Sequence, residues 1–237
     1  MQFNRLFGAK FMRTIAASLC VVIALSASAD AGLILNTASL AAPSTLIDFS
    51  QFGSNPSYIF TAGPVQVGGL VGEDVVYTST TSASVIGGQG SYGLGQNGAW
   101  NGGRNGYLGI NSPLDTITLR FNSGPVSGVG GLLNYGPDDG SFIISALASN
   151  NSVLETYLVS SLAPISTPNG SNLGAFRGIS RATADIYGFS ITGAFGVLDD
   201  LRFTRALAGE TPEPTSIALL GMGAIGFARI ARRRKTS

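Results

Sequence analysis

Short runs of strict two-residue alternation constrain this chain more than any other feature. In Thr116-Ile117-Thr118-Leu119-Arg120-Phe121 every second residue is apolar, which places Ile117, Leu119 and Phe121 on one face of a strand. Comparable segments fall at 46–49, 58–61, 75–80, 126–133, 142–148, 153–159, 175–179, 185–191 and 197–204. Turn formers separate them, among them Pro137-Asp138-Asp139-Gly140, Ser149-Asn150-Asn151 and Pro168-Asn169-Gly170-Ser171. Glycine is spread throughout while Lys, Glu and Gln are scarce between the two ends, so helix is not the default. About ten short strands with turns between them, and no alternating helices, predict an all-β fold built as an antiparallel sandwich or barrel.

The two ends differ from this body. Residues 1–13 carry Arg5, Lys10 and Arg13, residues 14–25 are apolar, and Ala27-Ser28-Ala29 supplies small residues. This is the pattern of a secretory signal peptide cut after Ala29, with Ala29-Asp30-Ala31 offering a second site after Ala31. Cys20 follows Leu19, whereas a lipoprotein signal wants a small residue there, so lipidation is disfavoured. At the other end stand Pro212, Glu213 and Pro214, an apolar stretch over 216–228, and then Arg229, Arg232, Arg233, Arg234 and Lys235. The prolines remove backbone donors and hold an extended spacer, so a helix starts only after them. The basic cluster holds the helix end on the cytoplasmic side and leaves the body outside. The apolar stretch is shorter than the about 20 residues of an ordinary span, which arginine snorkelling and bilayer thinning accommodate. The alternative is a terminal helix buried in the body, which would have to find partners for the arginines.

This order of residues resembles the PEP-CTERM sorting tail of certain Gram-negative bacteria, a Pro-Glu-Pro triplet, membrane helix and arginine cluster processed by an exosortase, a membrane transpeptidase. Thr211 stands where the commoner form has Val. The segments from 126 to 204, ending Val197-Leu198-Asp199-Asp200-Leu201-Arg202-Phe203-Thr204, are similar to the jelly-roll modules often found before such tails, which in turn are similar to carbohydrate-binding modules. The resemblance implies a signal peptide at 1–29, a jelly-roll-like β-sandwich at 30–208, and a sorting tail at 209–237 with a transmembrane helix. It also implies passage through the inner membrane, a transient membrane anchor, and delivery to the cell surface or extracellular matrix.

Without its ends the chain is acidic. Six arginines between residues 30 and 214 face all 13 acidic residues of the chain, a net charge of −7. An acidic body without a basic patch argues against nucleic acid and anionic polymers as partners. The same stretch has no lysine, histidine or cysteine, which excludes histidine-dependent triads, histidine metal sites, cysteine nucleophiles and disulfides. Roughly 180 residues suffice to hold one domain together by burial alone.

Two constellations carry chemistry. Asp199 shares the parity of Leu201 and Phe203, which would place it on the core face, where a carboxylate must be paired, protonated or metal-bound. Jelly-roll modules often hold a structural Ca²⁺ between an acid of the first strand and one of the last, and Asp48 with Asp199 or Asp200 would fill those places. Hydrogen bonds from loop backbone, or an arginine partner, would satisfy Asp199 equally well. The irregular segment 88–107 holds the only tryptophan, Trp100, with Tyr92, Arg104, Tyr107 and Asn97, Asn101 and Asn105. An aromatic face with amides beside it suits stacking on a sugar ring; alternatively Trp100 pins the segment onto the body. Two matches to G-x-G-x-x-G, starting at Gly88 and Gly93, precede no helical pattern and follow from glycine content. Asp138-Asp139 belongs to a turn.

The expected function is that of an exported, exosortase-sorted matrix or surface protein, structural or adhesive, associated with exopolysaccharide, without enzymatic activity and without a cofactor other than a structural calcium. The alternatives are a carbohydrate-binding module using the Trp100 loop and, further off, a carboxylate glycoside hydrolase.

Overall fold

The computed structural model describes residues 32–53, 58–88, 90–101 and 106–205. The segment 1–29 read as a signal peptide, the Pro212-Glu213-Pro214 triplet, the basic residues from Arg229 to Lys235, and Arg104 and Asn105 lie outside the described residues. Among the described residues no helix is long and apolar enough to cross a membrane.

Among the described residues sixteen strands follow one another: β1 (Gly32–Ile34), β2 (Thr45–Ile47), β3 (Ile59–Phe60), β4 (Val65–Gln66), β5 (Val75–Ser79), β6 (Val85–Gly87), β7 (Ser91–Gly93), β8 (Ala99–Asn101), β9 (Tyr107–Gly109), β10 (Thr116–Phe121), β11 (Gly128–Asn134), β12 (Ile143–Leu147), β13 (Val153–Leu158), β14 (Ala175–Ser180), β15 (Gly188–Thr192) and β16 (Val197–Thr204). Two one-turn helices, α1 (Ser50–Gly53) and α2 (Val159–Leu162), and three 3-10 turns complete the described chain. The all-β expectation holds. One sheet runs β1-β14-β11-β16-β9-β6-β3, with β2 also paired to β16; the other runs β13-β12-β15-β10-β5-β4. Every ladder in them is antiparallel, as connections without long helices require.

Strand β10 alternates half-buried and buried residues along its whole length, as its sequence predicts. Its apolar face meets that of the other sheet in one core. Ile117, Leu119, Phe121, Ile144, Phe189 and Ile191 come from one side, and Val129, Leu133, Ile179, Leu198, Leu201 and Phe203 from the other. Phe121 and Phe203 touch across it, ring centroids 5.0 Å apart. With no disulfide among the described residues, this burial carries the stability of the body, at about 25 cal/mol for each Å² of apolar surface removed from water.

Beside this regular pairing, β16 is bulged. Leu132 of β11 faces Asp199 and Gly130 faces Arg202, so Asp200 and Leu201 together oppose the single residue Gly131. Asp200 takes the left-handed conformation, φ +48°, which lets the extra residue fit and turns the strand.

Candidate functional site

The segment 88–107, expected to be irregular, holds a small hairpin. Strands β7 and β8 pair with Tyr92 opposite Trp100, and the 3-10 turn Gly95–Asn97 closes them. This hairpin covers the outer face of the β1-to-β3 sheet, the side away from the main core. There Tyr92, Leu94 and Trp100 pack on Val85, Tyr107 and Val197 to form a second hydrophobic core, with Tyr58, Leu132 and Phe195 at its margin. Tyr107 meets Tyr58 and Tyr92 edge to face, at centroid distances of 6.4 and 6.2 Å.

Close approach of backbones makes the fit. A Cβ at Gly87 would stand 2.4 Å from the Tyr107 ring, and Gly98, at φ +86°, lies so near Gly170 that a Cβ would come within 2.0 Å of its carbonyl oxygen. Asn97, 3% exposed, then bolts the hairpin down. Its Nδ2 donates to Asn134 Oδ1 (2.9 Å), Tyr135 O (3.0 Å) and Ile165 O (3.0 Å), while its Oδ1 accepts from the Thr167 N–H (3.0 Å). Asn101 and Asn172 exchange a backbone and a side-chain hydrogen bond at 2.6 and 2.8 Å.

These facts correct the sugar-stacking assignment. Trp100 and Tyr107 are fully buried and Tyr92 is 7% exposed, so none presents an open ring face. Asn97 is a structural bolt. Arg104, the fourth residue of that set, lies outside the described residues. Burial raises the Tyr92 and Tyr107 phenols far above the ordinary tyrosine range. The Tyr92 hydroxyl donates to Ile110 O at 2.5 Å, whereas Trp100 Nε1 and the Tyr107 and Tyr58 hydroxyls are buried without a hydrogen-bond partner among the described residues.

The structure brings the second predicted set partly together. Ile47 faces Leu201 in the β2–β16 ladder, so Asp48 leaves β2 beside Asp200. Asp48 Oδ1 accepts from the Ser50 N–H at 3.0 Å, an Asx turn opening α1. Asp199 is fully buried and its Oδ1 accepts from the Asp200 N–H at 2.7 Å. The parity argument for Asp199 needs correction: Leu198 and Leu201 both belong to the main core, and the extra residue in the bulge puts Asp199 on the side of Val197 instead. Among the described residues no group of three or more His, Cys, Asp or Glu side chains is gathered where a metal ion could be held. Glu155 and Asp185 converge on Arg181, which grips Asp185 with Nε and Nη2 at 2.6 and 2.8 Å and donates through Nη1 to Glu155.

One surface feature was missed from sequence. On the outer side of the other sheet Thr78, Thr118, Ser190, Ser145 and Thr156 stand in register across β5, β10, β15, β12 and β13, a row of hydroxyls running perpendicular to the strands in which Ser190 and Ser145 are buried and the three threonines reach solvent. The next row holds Thr116 and Thr192, their hydroxyls 2.8 Å apart. On the opposite side Arg120 is tied down by bonds to the Ala148 and Ser149 carbonyls. Alternation assigns each hydroxyl to the outer side of its own strand, but only the register aligns them into a row.

A family model for the PEP-CTERM protein-sorting motif matches residues 210–235. The chain thus carries a sorting signal of that kind, which implies export and processing by an exosortase. No curated protein matches the chain.

Proposed function

We propose that this chain is a non-enzymatic component of the cell surface or extracellular matrix of a Gram-negative bacterium, sorted by an exosortase and associated with neutral exopolysaccharide. The observation that carries the reading is the sorting motif at 210–235, joined to an all-β body. In this reading the body is a jelly-roll-like β-sandwich, the signal peptide is removed on export, and the helix after Pro214 holds the precursor in the inner membrane until it is cut.

A structural or adhesive role fits the chemistry of the body. It is acidic and lacks histidine and lysine between the two ends, so its polar contacts with a matrix run through neutral groups. Thr78, Thr118 and Thr156, the members of the hydroxyl row that reach solvent, suit such contacts, because hydroxyls both donate and accept and ask no charge of their partner. The mature protein should co-sediment with the producer's own exopolysaccharide, and Thr118→Asp should weaken this retention without changing the melting temperature. A protein that stays in the supernatant with that polysaccharide under all ionic strengths would refute the association.

A further inference from the structure

We infer that the end of the body from which both chain termini leave lies against the membrane while the precursor is anchored, and that the exposed Leu70–Val71 tip is its lipid contact. This rests on the anchoring proposed above. Gly32 of β1 faces Ser180 of β14, Ser180 faces Gly128 of β11, and Gly128 faces Thr204 of β16. The first and last strands therefore start and finish at one end of one sheet, three strand spacings or about 15 Å apart. The segments read as signal peptide and sorting tail consequently leave the body from the same side.

Arg205 fixes what else lies at that end. Its Nη2 and Nε donate to the Glu73 carboxylate at 2.6 and 3.3 Å, its Nη1 donates to the Gly124 and Pro125 carbonyls, and its guanidinium lies 5.6 Å from the Phe203 ring centre. The last described residue is thus clamped to the β4–β5 loop. The tip of this loop is the 3-10 turn Gly69–Val71, with Leu70 67% and Val71 42% exposed. The tip is braced: Val67 and Glu73 donate to Val75 O at 2.8 Å and Gly68 O at 3.1 Å, and Gln66 Oε1 accepts from the Gly68 and Val75 N–H groups.

Chain length sets the distance. Eleven residue steps separate Arg205 from Ser216, where the apolar stretch begins, a reach of at most about 40 Å when fully extended. An anchored tail keeps the clamped end near the bilayer, while Leu114, 84% exposed before the far end of β10, stands farther off. A braced, solvent-exposed Leu-Val pair at the near end suits the lipid interface. The acids beside it do not oppose this contact: Glu73 is paired with Arg205, and Asp74 accepts from Gln66 Nε2 at 2.8 Å and Asn122 Nδ2 at 3.3 Å. In an acidic body the contact is apolar, so it persists in salt.

The test uses the full chain with Cys20→Ser, which leaves no cysteine, and one new cysteine at a time, Leu70→Cys or Leu114→Cys, labelled with an environment-sensitive fluorophore. Each is reconstituted into phosphatidylcholine vesicles containing a lipid-borne quencher and recovered by flotation. The expected result is flotation of both, quenching at 70, none at 114, and no change in high salt. Flotation with equal quenching, with more quenching at 114, or with quenching lost in salt overturns the lipid contact while leaving the anchor intact. Failure to float overturns the anchor and the inference with it.

Discussion

Replacing Trp100 by alanine separates a structural pin from a ligand platform. The indole is fully buried beneath its own hairpin, in contact with the second core. Burying such a ring removes about 150–250 Å² from water, worth roughly 4–6 kcal/mol at about 25 cal/mol per Å². Alanine retains part of this, and large-to-small changes of this kind cost about 3–5 kcal/mol. One group offsets the loss. Trp100 Nε1 is buried without a partner among the described residues, and a buried unsatisfied donor costs about 1–3 kcal/mol, which its removal returns. The expected net cost of Trp100→Ala, taking the middle of each range, is therefore about 2 kcal/mol, and that of Trp100→Phe, which keeps most of the ring and also drops the N–H, about 1 kcal/mol or less. Urea titration followed by circular dichroism measures both, since the variants lack the only tryptophan. In the parent protein this same buried residue should report the fold by fluorescence, with blue-shifted emission shielded from acrylamide. Trp100→Ala at parental stability, or a red-shifted and readily quenched Trp100, would refute the pin.

Other consequences can be measured on the same protein. Gly98→Ala forces a Cβ against the Gly170 carbonyl at a left-handed position, and should lower stability by more than about 1 kcal/mol in the same titration; an unchanged midpoint would mean that the hairpin does not clamp that loop. The hydrogen bond from Arg205 holds the Glu73 carboxyl below the ordinary glutamate value of 4.5, with burial opposing it. A depressed carboxylate pKa stabilises the fold above the unfolded value and loses that contribution as pH falls through the folded value. Glu73→Gln should therefore flatten the fall in melting temperature in acid below pH 4.5, and an identical acid limb in both proteins would count against the clamp. A chelator should leave the melting temperature unchanged, because Asp48 and Asp199 already accept backbone hydrogen bonds; a drop that added Ca²⁺ restores would instead place an ion between Asp48 and Asp199 or Asp200.

What could be read in the sequence follows from where the physics is local. The alternation of 116–121 reports one-sided burial within six residues, so β10 and its core face were legible. The bulge at Asp200 was not: Asp adopts a left-handed backbone without glycine to signal it, and one extra residue reverses the facing of Asp199 relative to Leu201. The hairpin of Tyr92 and Trp100 escaped for another reason. Its short strands lie in a glycine-rich stretch, and its apolar side packs on the outer face of a sheet that alternation would leave to solvent. Asn97 gave no local signal either, since the groups it bonds lie 37 to 70 residues away. The sorting tail, in contrast, is written in contiguous residues whose types alone carry its chemistry, and the matching family model covers just that stretch.

Intact-mass analysis of the mature protein from a Gram-negative host that carries an exosortase is the decisive measurement. The sorted fate predicts a C-terminus that has lost Arg229, Arg232, Arg233, Arg234 and Lys235, and a Glu213→Ala variant that is exported but keeps them. A mature parent chain from that host that still ends at Ser237 would contradict it.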